Sequence, residues 1–267
     1  MEDPDQNDVM CDIAYSKPHD SLLLVYLKAA DKGLGIFFQR CTIDSLDCDE
    51  AINILEGLPE FQRNATQPLF VLDETMPEII RVMFGSGAKS DPNQGTDISL
   101  LISQDFGGSW PPELHSLTRG NPGDDYRYPA VIYWKDRVAF LFTHKAGDLM
   151  FATCQIPDLD TGAFDPIIID TETFGAGSIA LGPSQSFMVI YHTRPNEEAM
   201  PYLTYYDPQQ NAWITPINAA DKAFPGSRAR TVIPSISYDG HNTWMAGFEF
   251  QNGGEPFQSV LTSCALL

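Results

Sequence analysis

Ser103-Gln104-Asp105-Phe106-Gly107-Gly108-Ser109-Trp110 contains the parts of a complete turn within eight residues. An Asp side chain can accept hydrogen bonds from the backbone N–H groups of its own turn. Glycine supplies a positive φ without steric cost, and Trp offers a large apolar plug. The preceding Leu100-Leu101-Ile102 is an apolar run of strand character. The stretch therefore predicts a turn between two antiparallel strands, with Trp110 driven into the layer beneath.

Working outward from that turn, the chain repeats itself. Apolar first strands begin at Asp12, Phe70, Ala130, Ser178 and Ser235, with spacings of 58, 60, 48 and 57 residues. After a polar turn, each is followed by a second apolar strand carrying Tyr26, Phe84, Phe142, Tyr191 or Phe248. Third strands end at Cys41, Ser103, Cys154, Tyr205 and Cys264. Degenerate copies of the Asp turn follow some of them, as Asp158 with Phe164 and Asp207 with Trp213. Fourth strands follow in most units, at Pro166-Ile167-Ile168-Ile169 and Trp213-Ile214 for example. Four antiparallel strands per unit, repeated five times, predict an all-β fold. The predicted architecture is a five-bladed β-propeller of four-stranded antiparallel blades around a central axial pocket. The blades fall at about 10–60, 68–118, 128–171, 176–217 and 232–267 of a single domain spanning 1–267. The last unit ends after its third strand, so an N-terminal strand is expected to complete it. A two-sheet sandwich ranks second, because its turn signals come every 8–12 residues and require no long period.

Ser103 to Trp110 fits S-x-D-x-G-x-x-W, and in this it resembles the Asp-box of sialidases and other β-propeller proteins. That resemblance implies a structural turn lying away from any active site.

Thirty-six acidic against 16 basic residues give a net charge of −20. Such a surface repels nucleic acid and anionic membranes, so neither is an expected partner. No apolar run is long enough to span a bilayer, and the N-terminus lacks signal-peptide features, so a cytoplasmic location is expected. The five cysteines are odd in number and form no C-x-x-C pair. They predict neither a disulfide framework nor a zinc site. Three of them share one repeat position, which predicts buried packing residues. Asn64-Ala65-Thr66 is a sequon, read as incidental without a secretory signal.

Alternating strand direction places first-strand entries and second-strand exits on one face, and the Asp turn on the other. The entries supply Asp12, Tyr126, Arg127, Arg228 and Arg230; the exits supply Lys28, His144, Lys145, His192, Arg194 and Glu249. In so acidic a chain, the basic residues of blades three to five predict a local positive mouth with an aromatic floor. Arg offers a planar fork for acidic oxygens, and His moves protons near neutral pH. The expected catalytic set is Arg127, His144, His192 and Arg230. The expected binding set is Asp12, Tyr126, Tyr191, Arg194, Phe248 and Glu249. His144 and His192 have no evident third ligand, so no metal is expected, and no cofactor is called for. Asp73-Glu74 and Asp124-Asp125 are candidate carboxylates, but beside Pro and Gly they read first as turn formers. Trp134 and Trp244 read first as core.

Three functions fit this layout. In size, divergent blades and basic-aromatic mouth, the chain resembles the fungal β-propeller hetero-Diels–Alderases of tropolone sesquiterpenoid biosynthesis. The resemblance implies a cofactor-independent cyclase that dehydrates a hydroxymethyl tropolone to a quinone methide and captures it with a polyene. Arg127 or Arg230 would then hold the acidic oxygens, and His144 or His192 would move the proton. Tyr191 and Phe248 would line the pocket. A lectin ranks second, because the position after the second-strand aromatic reads Leu27, Gly85, Thr143, His192, Glu249 and does not repeat as multivalent sugar sites would. A sialidase-like hydrolase ranks third. Its F/Y-R-I-P motif is echoed only by Arg127-Tyr128-Pro129, in the wrong blade.

Overall fold

Period-two burial builds the strands. In Ser21–Ala30, Leu23, Val25 and Leu27 are buried on one face while Leu22, Leu24 and Tyr26 are only half-covered on the other. A central strand such as Ile80–Gly87 is buried on both faces. The computed structural model describes residues 10–30, 33–58, 64–87, 96–118, 125–144, 147–162, 164–171, 173–193, 200–219, 229–241, 243–252 and 258–265.

Among the described residues the strands form five sheets in which chain neighbours are sheet neighbours. The first sheet holds β1 (Cys11–Ser16), β2 (Ser21–Ala30), β3 (Gly33–Thr42) and β4 (Ile52–Asn53). The second holds β5 (Asn64–Leu72), β6 (Ile80–Gly87), β7 (Thr96–Ser103) and β8 (His115–Ser116). The third holds β9 (Tyr126–Trp134), β10 (Arg137–His144), β11 (Asp148–Gln155) and β12 (Ile167–Asp170). The fourth holds β13 (Thr173–Leu181), β14 (Phe187–Thr193) and β15 (Met200–Asp207), with two short pieces, β16 (Ala212–Trp213) and β17 (Ile217–Asn218), both pairing with β15. Pro216, which has no N–H to donate, lies in the break between these pieces. The fifth holds β18 (Ala229–Tyr238), β19 (Thr243–Asn252) and β20 (Gln258–Ala265). The N-terminal strand expected to complete it falls on residues 1–9, outside the described residues.

The chain divides into two compact units. One is Met1–Ala139 with Thr153–Asp165, the other Phe140–Ala152 with Pro166–Leu267. In the first, Leu23, Val25, Phe38, Phe70, Val82 and Phe84 belong to one core cluster. In the second, Met188, Ile190, Leu203, Trp244 and Phe248 do the same. Each unit stitches its first strands together by the same device. Asp12 Oδ2 accepts from the Phe70 N–H at 2.8 Å, and Ser178 Oγ accepts from the Ile236 N–H at 3.3 Å, each 58 residues on. The Arg127-Tyr128-Pro129 segment is likewise a backbone device. Tyr128 is left-handed (φ 56°) before Pro129, as Gln67 (φ 49°) is before Pro68.

The Ser103–Trp110 turn closes on itself. Ser103 Oγ accepts from the Gly107 N–H at 2.8 Å and donates to Asp105 Oδ1 at 2.8 Å, and Asp105 in turn accepts from the Ser109 N–H and hydroxyl. These bonds, led by that from the Ser109 hydroxyl, hold the Asp105 carboxyl below its usual range. Trp110 meets the Phe38 ring edge-on at 5.3 Å. Gly107, with φ 80°, lies so close to Phe38 that a Cβ would collide with the ring. Trp213 meets Phe151 in the same way at 5.0 Å, and Asp207 Oδ1 accepts from the Gln209 N–H. The copy at Asp158 differs. With Pro157 near its start, Ile156–Leu159 forms a one-turn helix, α1. Here Asp160 pairs with the buried Arg81 through two 2.8 Å hydrogen bonds.

Two cysteine expectations divide. Cys154 is buried, and burial pushes its thiol up to about 12. Cys41 is buried as expected, and it also forms a disulfide with Cys48, where no disulfide framework was expected. The intervening loop folds back tightly, with Thr42 N–H donating to Asp47 O, and brings the two cysteines opposite each other as an antiparallel bridge. The Cys264 side chain lies outside the described residues.

Replacing Ser103 with Ala removes a buried acceptor and is expected to lower unfolding free energy by about 1–2 kcal/mol in urea titration. Asp160→Ala strands a buried guanidinium and is expected to cost about 3 kcal/mol. The Arg81→Met, Asp160→Leu double variant is expected to recover most of that loss. An Asp160→Ala protein of unchanged stability would show that the pair supports nothing.

Candidate functional site

At the entry to β9, Arg127 is held by the residue just ahead of the strand. Its Nε and Nη2 donate to the two oxygens of Asp125 at 2.7 and 2.6 Å, a fork-to-fork pair. That hydrogen bonding raises the guanidinium further above its ordinary value. The one proton of the Thr96 hydroxyl is shared between Asp125 and the Tyr126 carbonyl, the latter at 3.0 Å.

In the second unit, His144 and His192 lie at one end of adjoining sheets. The Gly147 carbonyl accepts from both the N–H and the hydroxyl of Thr173, and Thr173 pairs with Thr193 beside His192. His144 Nδ1 is 3.6 Å from Asp148 Oδ2. His192 is buried, its Nε2 makes no hydrogen bond, and burial pushes its pKa down to about 4. The imidazole is therefore neutral at pH 7. Tyr191 and Phe248, expected to line a pocket, are 1% and 3% exposed and belong to the interior. The Tyr191 hydroxyl donates to Asp170 Oδ2 at 2.7 Å, and burial with this bond raises the phenol's pKa. Arg230 and Glu249 sit on β18 and β19, but their side chains lie outside the described residues. Lys145, Arg194 and Arg228 lie outside them altogether, while the Lys28 ammonium is 6.0 Å from the centre of the Phe37 ring.

In the first unit the structure brings together a different set. A cavity of about 380 Å³ opens at the β1–β2 and β5–β6 turns, lined by Tyr15, Lys17, Asp73, Glu74, Phe106 and Tyr133 among others. It lies at the end carrying the Ser103–Trp110 turn, not at the entry-loop end where the chemistry was expected. Tyr15, Asp73 and Tyr133 hold one repeat position, the fourth residue of each first-strand motif, which reads Tyr15, Asp73, Tyr133, Leu181, Tyr238. That shared position is the sequence signal for the cavity. Asp73 is its outlier, a carboxylate where the neighbouring sheets place a phenol.

The polar groups around Tyr133 are coupled. Burial, followed by the negative charges of Asp12 and Glu74, pushes its phenol up to about 12. Asp12 is itself half-buried, and desolvation raises its carboxyl pKa despite N–H bonds from Phe70 and Ile13. Asp73 is 2% exposed. Its Oδ1 accepts from the Thr75 N–H at 2.8 Å and the Thr75 hydroxyl at 2.6 Å, the turn-forming role expected of it. Its Oδ2 is enclosed without a hydrogen bond.

No protein-family model matches this chain, and no curated protein matches it. Solved structures do. The catalytic domain of a Coprinopsis cinerea GH62 α-L-arabinofuranosidase is similar at a TM-score of 0.58 and 10% identity, over 98% of this chain and 92% of that one. A thermostable family-43 glycoside hydrolase is similar at 0.54 and 10% identity, over 97% and 90%. Trypanosoma rangeli sialidase is similar at 0.60 and 8% identity, over 91% of this chain and 43% of its own. At such identities the likeness shows the fold, a β-propeller of sialidase-like architecture.

The sign of the His192 shift sets a pH dependence. Its folded pKa lies below the unfolded value of 6.5, so the unfolded chain binds the proton first. This contribution is intact above pH 6.5 and is lost as pH falls towards 4, amounting to about 3 kcal/mol. The stability of His192→Gln is expected to fall less steeply across that window. Parallel pH profiles for the two proteins would contradict the assignment.

Proposed function

We propose that this chain is a five-bladed propeller enzyme that cleaves neutral glycosides. The observation that carries the reading is that Glu74 and Tyr133 line one cavity and that the negative charges of Asp12, on β1, and of Glu74, just after β5, both act on the Tyr133 phenol. Glycoside cleavage by paired carboxyls needs one group that holds a proton and one that stays ionised. Burial favours the protonated form of Asp12, which suits it as the acid, while Glu74 is exposed and suits the base or nucleophile. Tyr133, protonated at neutral pH, serves as a hydrogen-bond donor to the sugar or to a carboxylate. The glycoside hydrolases among the similar structures support this reading through shared architecture.

Neutral sugars are favoured over sialic acids because three arginines of this unit are already paired with aspartates: Arg40 with Asp49, Arg81 with Asp160, and Arg127 with Asp125. The same facts weigh against the quinone-methide cyclase. That chemistry needs a cation for acidic oxygens and a group that moves the proton; of those expected, Arg127 is engaged and His192 is neutral, which leaves Arg230 and His144.

The test is hydrolysis of aryl α-L-arabinofuranoside, β-xyloside and α-sialoside. Turnover of one of the first two is expected. Glu74→Gln and Asp12→Asn are expected to lower kcat by about 10²–10⁴-fold, with little change in Tm for the exposed Glu74. Full activity in Glu74→Gln would remove the assigned pair. Several equivalent sugar sites per chain without turnover would establish a lectin instead.

A further inference from the structure

We propose that the Cys41–Cys48 disulfide is a reversible switch, opened at Cys48 by small cationic thiols, that sets how firmly Phe106 is held in the cavity wall. This holds whether or not the cavity takes a glycoside. The two cysteines, 7 residues apart, face each other across the hairpin that the end of β3 makes with the segment after it. That hairpin has other ties. Thr42 N–H donates to Asp47 O at 3.0 Å, Leu46 N–H to Thr42 O at 3.0 Å, and Asp49 N–H to Arg40 O at 2.8 Å. Gln39 Nε2 donates to Asp49 O at 3.0 Å, and Arg40 Nη2 lies 2.7 Å from Asp49 Oδ2. A bond closing so short a loop also takes less entropy from the unfolded chain than one closing a long loop. Opening it therefore leaves the fold in place and the two thiols opposite each other, ready to reclose.

The two half-cystines are not equivalent. Cys41 is 4% exposed, whereas Cys48 is an exposed residue of the loop. A thiolate arriving from solvent therefore attacks Cys48 and expels Cys41. A bond forms between the thiol and Cys48 as the Cys41–Cys48 bond breaks, and Cys41 leaves as a thiolate that takes a proton from water. A second thiolate then removes the first as a small disulfide and releases Cys48 as a thiolate. The protein disulfide has gained two electrons, and two thiols have been oxidised. Asp44, Asp47, Asp49 and Glu50 are all exposed around Cys48 in the sequence, and Arg40 is already paired with Asp49. Such a negative field draws cationic thiols and repels anionic ones.

Arg40 carries the state of the hairpin to the cavity. Its Nη1 donates to the Phe106 carbonyl at 3.4 Å, and its guanidinium carbon lies 5.9 Å from the centre of the Phe106 ring. Phe106 is part of the cavity wall. While the disulfide is closed, Asp49 is fixed beside Arg40 through their bonded neighbours Cys48 and Cys41. Once it is open, exposed hydrogen bonds alone keep Asp49 there. The guanidinium then gains freedom, and Phe106 is left to its stack on His19.

The experiment treats the full chain with cysteamine, 2-mercaptoethanol or 3-mercaptopropionate at equal thiolate concentration, quenches with acid and maps the adducts by mass spectrometry. Adducts are expected on Cys48 and not on Cys41. Cysteamine is expected to react at least about threefold faster than 3-mercaptopropionate at about 0.02 M salt, with the gap closing near about 0.5 M. Full reduction by dithiothreitol is expected to leave far-UV circular dichroism unchanged. It is expected to speed amide hydrogen exchange at least about twofold at residues 42–49 and at Phe106 and Gly107, reversing on reoxidation. Arg40→Gln is expected to make exchange at Phe106 and Gly107 fast in both states while residues 42–49 still respond. The Cys41→Ser, Cys48→Ser double variant is expected to match the reduced chain; should it fail to fold, Cys48→Ser, which alters only the exposed cysteine, takes its place. Adducts on Cys41, unfolding on reduction, or Phe106 exchange indifferent to the disulfide would each overturn the switch. Equal rates for the three thiols at low salt would overturn the choice of a cationic thiol.

Discussion

Phe38 is the seat on which the first unit closes. Its ring takes the edge of Trp110 and lies against Phe70, and it comes so near the backbone of Gly107 that only a hydrogen fits there. The turn above must therefore pass through a left-handed glycine, and Phe106 before it is left-handed too, at φ 56°. In that conformation Phe106 stacks on His19 at 3.7 Å and lines the cavity, with Arg40 near its ring. One packing contact thus fixes a turn, and the turn supplies a cavity wall. The second unit repeats the seat with Phe151 and Trp213.

The charge pattern follows from the same economy of polar groups. Cations are scarce in a chain of net charge −20, and Arg40, Arg81 and Arg127 serve as ties. Arg81 joins β6 to the segment after β11 through Asp160, and Arg127 locks the start of β9 through Asp125. Each two-bonded pair with an aspartate cancels most of the positive charge that the guanidinium would offer a ligand carboxylate. The cavity consequently presents carboxylates and phenols, with a single exposed lysine opposing them.

Much of this order was legible before any coordinates. The five first strands, the second-strand aromatics and the third strands fall where the repeats place them, because each is an apolar run that must be covered on at least one face. The copy at Asp158 misled because Pro157 starts a helical turn, and a degenerate spacing does not reveal that α1 replaces the side-chain turn. The Cys41–Cys48 disulfide was not legible because its second cysteine stands across a tight loop, not in the repeat. The Asp125–Arg127 pair was readable from sequence nearness, an acid two residues ahead of an arginine at a strand start. The influence of Asp12 and Glu74 on Tyr133 was not, because three segments about sixty residues apart come near one another only once the sheets stack. Tyr191 and Phe248 show the converse error. A repeated aromatic marks what every sheet needs for its core, whereas a site is marked by the position that breaks the repeat.

Asp73 is such a break, and its energetics separate two roles that one side chain combines. The turn at Thr75 needs an acceptor, and an asparagine oxygen would supply it without a charge. At the same repeat position, Tyr15, Tyr133 and Tyr238 show that a phenol fits the end of a first strand. Neither the local turn nor the stacking of sheets therefore requires an anion here. Yet the fold encloses one, with an oxygen that no donor of the described residues meets. A tyrosine or an asparagine would meet the needs of strand and turn, so this enclosed carboxyl oxygen is a polar cost that the rest of the core must offset.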